Sequence, residues 1–189
     1  MISRINRSFQ QIQFLFYEVR RMNNVHWWRW LNCWFTTSFW AVASYRLERS
    51  LFLFFGKAWS AFRIFLSPLI FLLTPWLAHS EIHYRADIGK GLLILHPSIG
   101  VVINGSAKIG ENLTLTGGNC LGARKKLYPG DFIIGNNVSF GANAVALGPV
   151  IIGNYVNIGA GAVVIKDAPD NAVLVGVPAV NINETSSLN

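Results

Sequence analysis

Apolar residues recur every six positions from Ile82 onward. They fall at Ile82, Ile88 and Ile94, then at Ile103, Ile109, Leu115 and Leu121, then at Ile134, Phe140, Ala146, Ile152, Ile158 and Val164. Glycine follows directly at Gly89, Gly110, Gly122, Gly135, Gly141, Gly153 and Gly159. A helix needs apolar spacings near ~3.6 and a half-buried strand alternates, so neither produces this register. A six-residue period with small corner residues predicts a parallel β-helix in which each hexad supplies one short strand and one corner. The first residue of each hexad is expected to point inward, and the glycine to supply unusual corner angles.

The register breaks twice. The spacing from Ile94 to Ile103 is nine, which predicts a bulge near His96. From Leu121 to Ile134 it is thirteen, which predicts an extruded loop over Arg124, Lys125, Lys126 and Tyr128. Loops on a rigid repeat are where function concentrates.

Before residue 81 the pattern changes to helical spacing. Ile5, Phe9, Ile12, Leu15, Phe16, Val19 and Met22 share one face of a predicted helix. Leu47, Leu51, Phe54, Phe55, Ala58, Trp59, Phe62 and Phe65 share a face of a second, with Arg46, Arg49, Lys57 and Arg63 opposite. Composition divides at the same place. All seven tryptophans and eleven of thirteen phenylalanines precede residue 81, whereas sixteen of seventeen glycines follow residue 88. Residues 1–80 hold nine Arg and Lys against Glu18 and Glu48, while residues 81–189 balance seven against seven, so the net +7 is N-terminal.

Cations interleaved with this much Trp, Phe and Leu point to an anionic membrane surface rather than to nucleic acid. The uncharged runs Leu31–Tyr45 and Ile64–Ser80 fall short of the roughly 20 residues a spanning helix needs. The expectation is a monotopic, membrane-associating segment with a re-entrant hairpin around Pro68 and Pro75; a helical cap packed against other subunits is the alternative. The expected organisation is a basic, aromatic-rich helical region over 1–80, a β-helix over 81–182 and a polar tail over 183–189. The apolar patch Phe14–Tyr17 is too short for a secretory signal, so the expected location is the cytoplasmic face of the cell membrane.

Few residues can carry chemistry. The β-helix holds only His83 and His96, and His96 sits in the first register break with Glu81 fifteen residues earlier, nearly one coil away. A carboxylate that receives an imidazole N–H fixes the ring so that its other nitrogen takes a proton, making His96 a candidate general base supported by Glu81. An open catalytic zinc needs three imidazoles, which this region does not have, so no metal is expected. Cys33 and Cys120 form no metal spacing or disulfide framework.

The hexads, Ile158-Gly159-Ala160-Gly161-Ala162-Val163-Val164 and Val175-Gly176-Val177-Pro178-Ala179 resemble the hexapeptide-repeat acyltransferases, which have a left-handed parallel β-helix. Glu81-Ile82-His83, Asp87-Ile88-Gly89, His96 and Gly100-Val101-Val102-Ile103 resemble the serine acetyltransferase branch. Tyr45-Arg46-Leu47 resembles a motif shared with colanic-acid and capsule-type polysaccharide O-acetyltransferases. The resemblance implies a homotrimer using acetyl-CoA, with His96 as base and Glu81 in the place of an aspartate. It implies coenzyme A contacts at Gly122, Ala142 and Ala160, with Arg124, Lys125, Lys126 and Lys166 near its phosphates.

The acceptor pocket departs from the family pattern. Leu95 stands where the serine enzymes place an acidic residue, and Leu127-Tyr128 where they place Arg-His. Those losses remove partners for a zwitterion, so a neutral hydroxyl on a membrane-linked or polymeric glycan is the main expectation, with Leu95, Tyr128 and His83 around it. The alternatives are a serine or other small-molecule O-acetyltransferase and a catalytically silent scaffold for polysaccharide assembly.

Overall fold

A computed structural model describes residues 2–23 and 33–185, without the side chains of residues 2, 69–77 and 184–185. Trp27, Trp28, Trp30 and Arg29 of the aromatic basic segment, and the last four residues of the polar tail, lie outside the described residues. Among the described residues, three α-helices, α1 (Ile2–Met22), α2 (Thr37–Phe55) and α3 (Lys57–Leu77), precede the first strand.

The parallel coils then follow. The first holds β1 (Ser80–Ile82), β2 (Asp87–Ile88) and β3 (Leu93–Ile94); the second, β4 (Val101–Ile103), β5 (Lys108–Ile109) and β6 (Thr114–Leu115). The third holds β7 (Asn119–Ala123), β8 (Phe132–Ile134) and β9 (Ser139–Phe140), and the fourth β10 (Val145–Gly148), β11 (Val150–Ile152) and β12 (Asn157–Ile158). A last coil runs through β13 (Val163–Val164) and β14 (Val173–Val175), on which β15 (Val180–Asn181) closes antiparallel. A short helix α4 (Ile182–Thr185) follows.

Three sheets result: β1-β4-β7-β10-β13 on the first face, β2-β5-β8-β11 on the second and β3-β6-β9-β12-β14-β15 on the third. The hexad residues stack in register. Ile82, Ile103, Leu121, Ala146 and Val164 form one column, Ile88, Ile109, Ile134 and Ile152 the next, and Ile94, Leu115, Phe140, Ile158 and Leu174 the third.

Two expectations need correction. Each hexad sends two residues inward: Leu92, Leu113, Val138 and Val156, each two positions before its hexad residue, are also buried. Strand alternation causes this, because residues i and i−2 share a face. The hexad glycines do not supply unusual angles, since none of the seven has a positive φ. They are small because the coils approach closely: a Cβ on Gly135 would lie 2.5 Å from the Gly153 carbonyl oxygen. The left-handed corners fall instead third after the second-face column, at Gly91, Asn112, Asn137, Tyr155 and Asn171 with φ between 56° and 86°, and third after the third-face column at Gly118, Asn143 and Gly161 with φ between 58° and 68°. Asparagine tolerates that region better than most side chains, whereas Tyr155 is an uncommon occupant.

The helices close the first coil. A β-helix end exposes backbone N–H and C=O groups that invite pairing with another chain. Tyr45 Oη donates to Ala86 O (2.9 Å) and accepts from Ile88 N (3.3 Å). Arg46 donates to Ile88 O (2.8 Å) and Gly89 O (2.6 Å), and Arg49 to Arg85 O (3.0 Å) and the Asp87 carboxylate (2.8 Å). Arg21 donates to Gly91 O, and Glu18 accepts from Gly91 N (3.1 Å) and Leu92 N (2.9 Å). Glu18 and Arg46 meet in a two-pronged ion pair at 2.5 and 3.0 Å, wholly buried. Burial pushes the Glu18 carboxyl up against the downward pull of Arg46, and pushes the Tyr45 hydroxyl up to about 12.

This arrangement settles which side of the helices meets protein. Arg46 and Arg49 are buried against the β-helix, whereas Leu47, Leu51, Phe54, Phe55, Phe62 and Phe65 are exposed. The second predicted helix is divided at Gly56 (φ 63°) into α2 and α3. The re-entrant hairpin is also corrected, because α3 runs through Pro68 and Pro75. Proline at 68 leaves the Ile64 carbonyl without its helical donor, and the Ser67 hydroxyl takes it at 2.7 Å. No helix among the described residues is long and apolar enough to cross a membrane.

Candidate active site

The first register break is a single 3₁₀ turn, Pro97–Ile99, with His96 at its start. Pro97 favours the turn by fixing φ at its first position. Gly100 ends it at φ 91°, its N–H donating to Pro97 O at 2.8 Å. His96 N–H donates to Thr116 O (2.9 Å), which holds the residue in register with the next coil. Leu95 and His96 are both exposed.

Register places His96 at the head of a corner column. Leu115 pairs with Ile94 and Phe140, and Phe140 with Ile158, so the positions two residues on are His96, Gly117, Ala142 and Ala160. This is the edge between the third and first faces. It carries no side chain larger than alanine beyond the imidazole. Gly117 cannot be enlarged, since its φ is 139° and a Cβ would lie 2.4 Å from His96 O.

Buried Asn119 fixes that corner: Oδ1 accepts from Gly117 N (2.9 Å) and Nδ2 donates to Gly141 O (2.8 Å) and Ala144 O (3.1 Å). Sequence reasoning passed over Gly117 and Asn119. The available signal was an amide where the inward column otherwise takes Val101 or Ala144.

Glu81 and His83 project outward from β1 and its continuation on the first face. Glu81 pairs with Val102, and the same column continues to Cys120 and Val145. Both line a pocket of about 530 Å³ between the helices and the first face, with Tyr45, Glu48, Arg63, His79 and the Ser98–Val102 stretch. Arg63 donates to Glu48 at 3.1 Å, and its guanidinium lies over the Tyr84 ring. The His83 ring stacks on Tyr84 with centroids 4.6 Å apart, and its Nδ1 accepts from Arg85 N at 3.1 Å. Burial, with Arg63 and Arg85 nearby, holds His83 below the usual histidine range against the opposing pull of Glu81.

The Glu81 carboxylate and the His96 ring have no hydrogen bond to each other in this chain. The Pro97–Ile99 turn connects their surroundings: His96 starts it, and Ser98 and Ile99 line the pocket beside Glu81.

The second register break leaves the opposite edge of the first face, after β7. Arg124 is tied to that edge, its guanidinium donating to Leu147 O (3.2 Å) and Pro149 O (3.1 Å). Lys126 lies over the Tyr128 ring, and the Tyr128 backbone N–H donates to Asp131 (2.9 Å). Lys125 and Lys126 are exposed, as is Lys166, which continues the register of Ala123 and Gly148 along the same edge. Gly122 pairs with Leu147 near that edge, away from Ala142 and Ala160. Leu95 and Tyr128 are likewise divided between the two edges. Among the described residues, no group of three or more His, Cys, Asp or Glu converges as a metal site.

With stacked hexads, a small-residue edge and a histidine at its head, the chain has the architecture of a hexapeptide transferase. Residues 133–166 match the family "Bacterial transferase hexapeptide (six repeats)". A serine acetyltransferase of Helicobacter pylori (strain J99) is 36% identical over 152 residues, covering 76% of this chain and 80% of the relative. One of Staphylococcus xylosus is 40% identical over 117 residues, 60% of this chain and 52% of the relative.

The chain therefore belongs to the serine acetyltransferase family of hexapeptide-repeat acyltransferases, although it spans only about half the length of the Staphylococcus relative. The Neisseria gonorrhoeae serine acetyltransferase in complex with serine superposes with a TM-score of 0.76 at 28% identity, covering 92% of this chain and 69% of that one. The Brucella abortus enzyme in complex with coenzyme A shares the fold, with a TM-score of 0.77 at 23% identity over 95% of this chain and 70% of that one. These relatives favour the serine alternative over the glycan expectation.

Proposed function

We propose that the protein is an acetyl-CoA-dependent O-acetyltransferase with His96 as its general base. The observation that carries the reading is the corner column His96-Gly117-Ala142-Ala160. It offers an edge of backbone and small side chains against which an extended thioester arm can lie closely, with a proton acceptor at one end.

His96 takes the proton of the acceptor hydroxyl as its oxygen attacks the thioester carbon. The carbon–sulfur bond then breaks, the thiolate of coenzyme A leaves and the imidazolium returns the proton to it. Glu81, in the pocket beside the same Pro97–Ile99 turn, is the candidate positioning residue. Lys125, Lys126 and Lys166 stand on the other edge of the prism, as do Gly122 and Tyr128. They reach the same arm only if it lies between two prisms, which supports the homotrimer.

The relatives make L-serine the first acceptor to offer. A second reading, transfer to a neutral glycan hydroxyl, is favoured by Leu95 and Leu127-Tyr128, which bring no charge for a zwitterion.

Thiol release measured with L-serine and with sugar acceptors separates the two. His96→Ala should lower turnover by about 10² to 10⁴ while acetyl-CoA binding persists. Release at the parental rate by that variant refutes the base assignment, and failure of the parent to bind acetyl-CoA in a calorimeter refutes the enzyme reading.

A further inference from the structure

The polarity of the helical cap is unusual on both of its surfaces. Its inward cations, Arg46 and Arg49, are consumed by the open end of the β-helix. Its outward surface keeps large apolar groups, with Phe65 82% and Phe62 54% exposed. Phe54 and Phe55 are also exposed, their rings in contact at 4.8 Å beside the α2–α3 turn.

The charges around this surface have one sign. Arg4 and Lys57 flank the turn, the Arg4 guanidinium lying 3.8 Å from where a Cβ on Gly56 would stand, and Arg7 follows one helical turn after Arg4. All three are exposed and, among the described residues, in no ion pair. The described part of the helical region contributes no free exposed carboxylate, because Glu18 is buried on Arg46 and Glu48 is bound to Arg63.

We propose that this face, built on the α2–α3 turn, docks on an anionic phospholipid surface. Aromatic rings at the acyl boundary, ringed by Arg and Lys that reach the phosphates, form the arrangement by which a helix lies in an interface. A second copy of the chain fits less well. Two such faces related by a twofold axis bring Arg4, Arg7 and Lys57 against their own counterparts with no carboxylate between them. The inference stands apart from the acetyl-transfer reading, since it uses none of the residues placed in that site.

The test is co-sedimentation of the full chain with vesicles of phosphatidylcholine alone and with about one-third phosphatidylglycerol. Binding is expected to the anionic vesicles and to weaken with salt. Phe62→Asp/Phe65→Asp should abolish binding to the anionic vesicles. Arg4→Glu/Lys57→Glu should lower anionic partition by at least about fivefold. Circular dichroism of each variant confirms the fold, which these exposed positions do not support. Absence of binding by the parent overturns the proposal. So does a lipid-free assembly of the parent larger than a trimer that Phe62→Asp/Phe65→Asp disperses, because a second copy would then own the face.

Discussion

In the β-helix, Ile88, Ile109, Ile134 and Ile152 stack inward, while Asn136, Asn154 and Asp170 form an outer ladder, each accepting a backbone N–H from the coil before. In the helices, Glu18 and Arg46 lie inside, and Phe62 and Phe65 outside. The same two kinds of residue have exchanged places, and the backbone explains why. Within the prism each coil satisfies its neighbour's main chain, so the interior needs only apolar volume. The first coil has no preceding neighbour. Its carbonyls and N–H groups need donors and acceptors, which Tyr45, Arg46, Arg49, Arg21 and Glu18 supply as side chains in place of a missing strand.

Removing a centre from each region tests that contrast most severely. Phe140→Ala in the prism should cost about 3–5 kcal/mol through a cavity that the stacked coils cannot collapse. Arg46→Met in the cap should cost a similar ~3–5 kcal/mol, because Glu18 is left buried without its partner. Denaturant unfolding followed by circular dichroism measures both. If Arg46→Met matches the parent, the capping account is wrong even where the prism account survives.

Gly135→Ala separates packing from backbone angle. A Cβ there meets the next coil at 2.5 Å, so a loss of about 1–3 kcal/mol is expected from overpacking. Gly161→Ala meets nothing within 4 Å but has φ 68°, so its cost should be about 1–2 kcal/mol, from backbone conformation alone. Equal and negligible losses at both positions would remove the distinction between the two kinds of glycine.

Phe65→Ala on the outer face should change the stability of the lipid-free protein by less than about 0.5 kcal/mol. A larger loss would mean that this ring has a packing partner within the protein. The smallest effect concerns pH. His83 is held below 6.5 in the fold, so its neutral ring contributes stability fully above that value, and the contribution is lost as pH falls through the folded value. Melting temperatures should therefore fall more steeply between about pH 7 and about pH 5 in the parent than in His83→Gln. Parallel curves would remove His83 from the account.

Much of the candidate site was legible along the chain because its geometry is periodic. A register break isolates His96, whereas Ala142 and Ala160 entered only through the family resemblance, and the strand register then places them in its column. Gly117 lies in that column and was countable, but it was passed over. The relation between Glu81 and His96 was less legible, since the fifteen-residue spacing implied a bonded pair that this chain does not form. The division of Gly122 and Tyr128 from Ala142 and Leu95, onto opposite edges of one sheet, depends on the path of each strand around the prism.

The sequence by itself determined the β-helix, its three apolar columns, its two interruptions and the boundary near Ser80, because a six-residue period admits one stacking of short strands. Only the tertiary structure decided which way the helices face. Amphipathic spacing specifies two sides of a helix without saying which side meets protein, and here the open backbone of the first coil attracted the cations and turned the aromatic side outward. It also decided why the glycines are glycines, since the approach of one coil to the next is set by stacking rather than by the angles at any single residue.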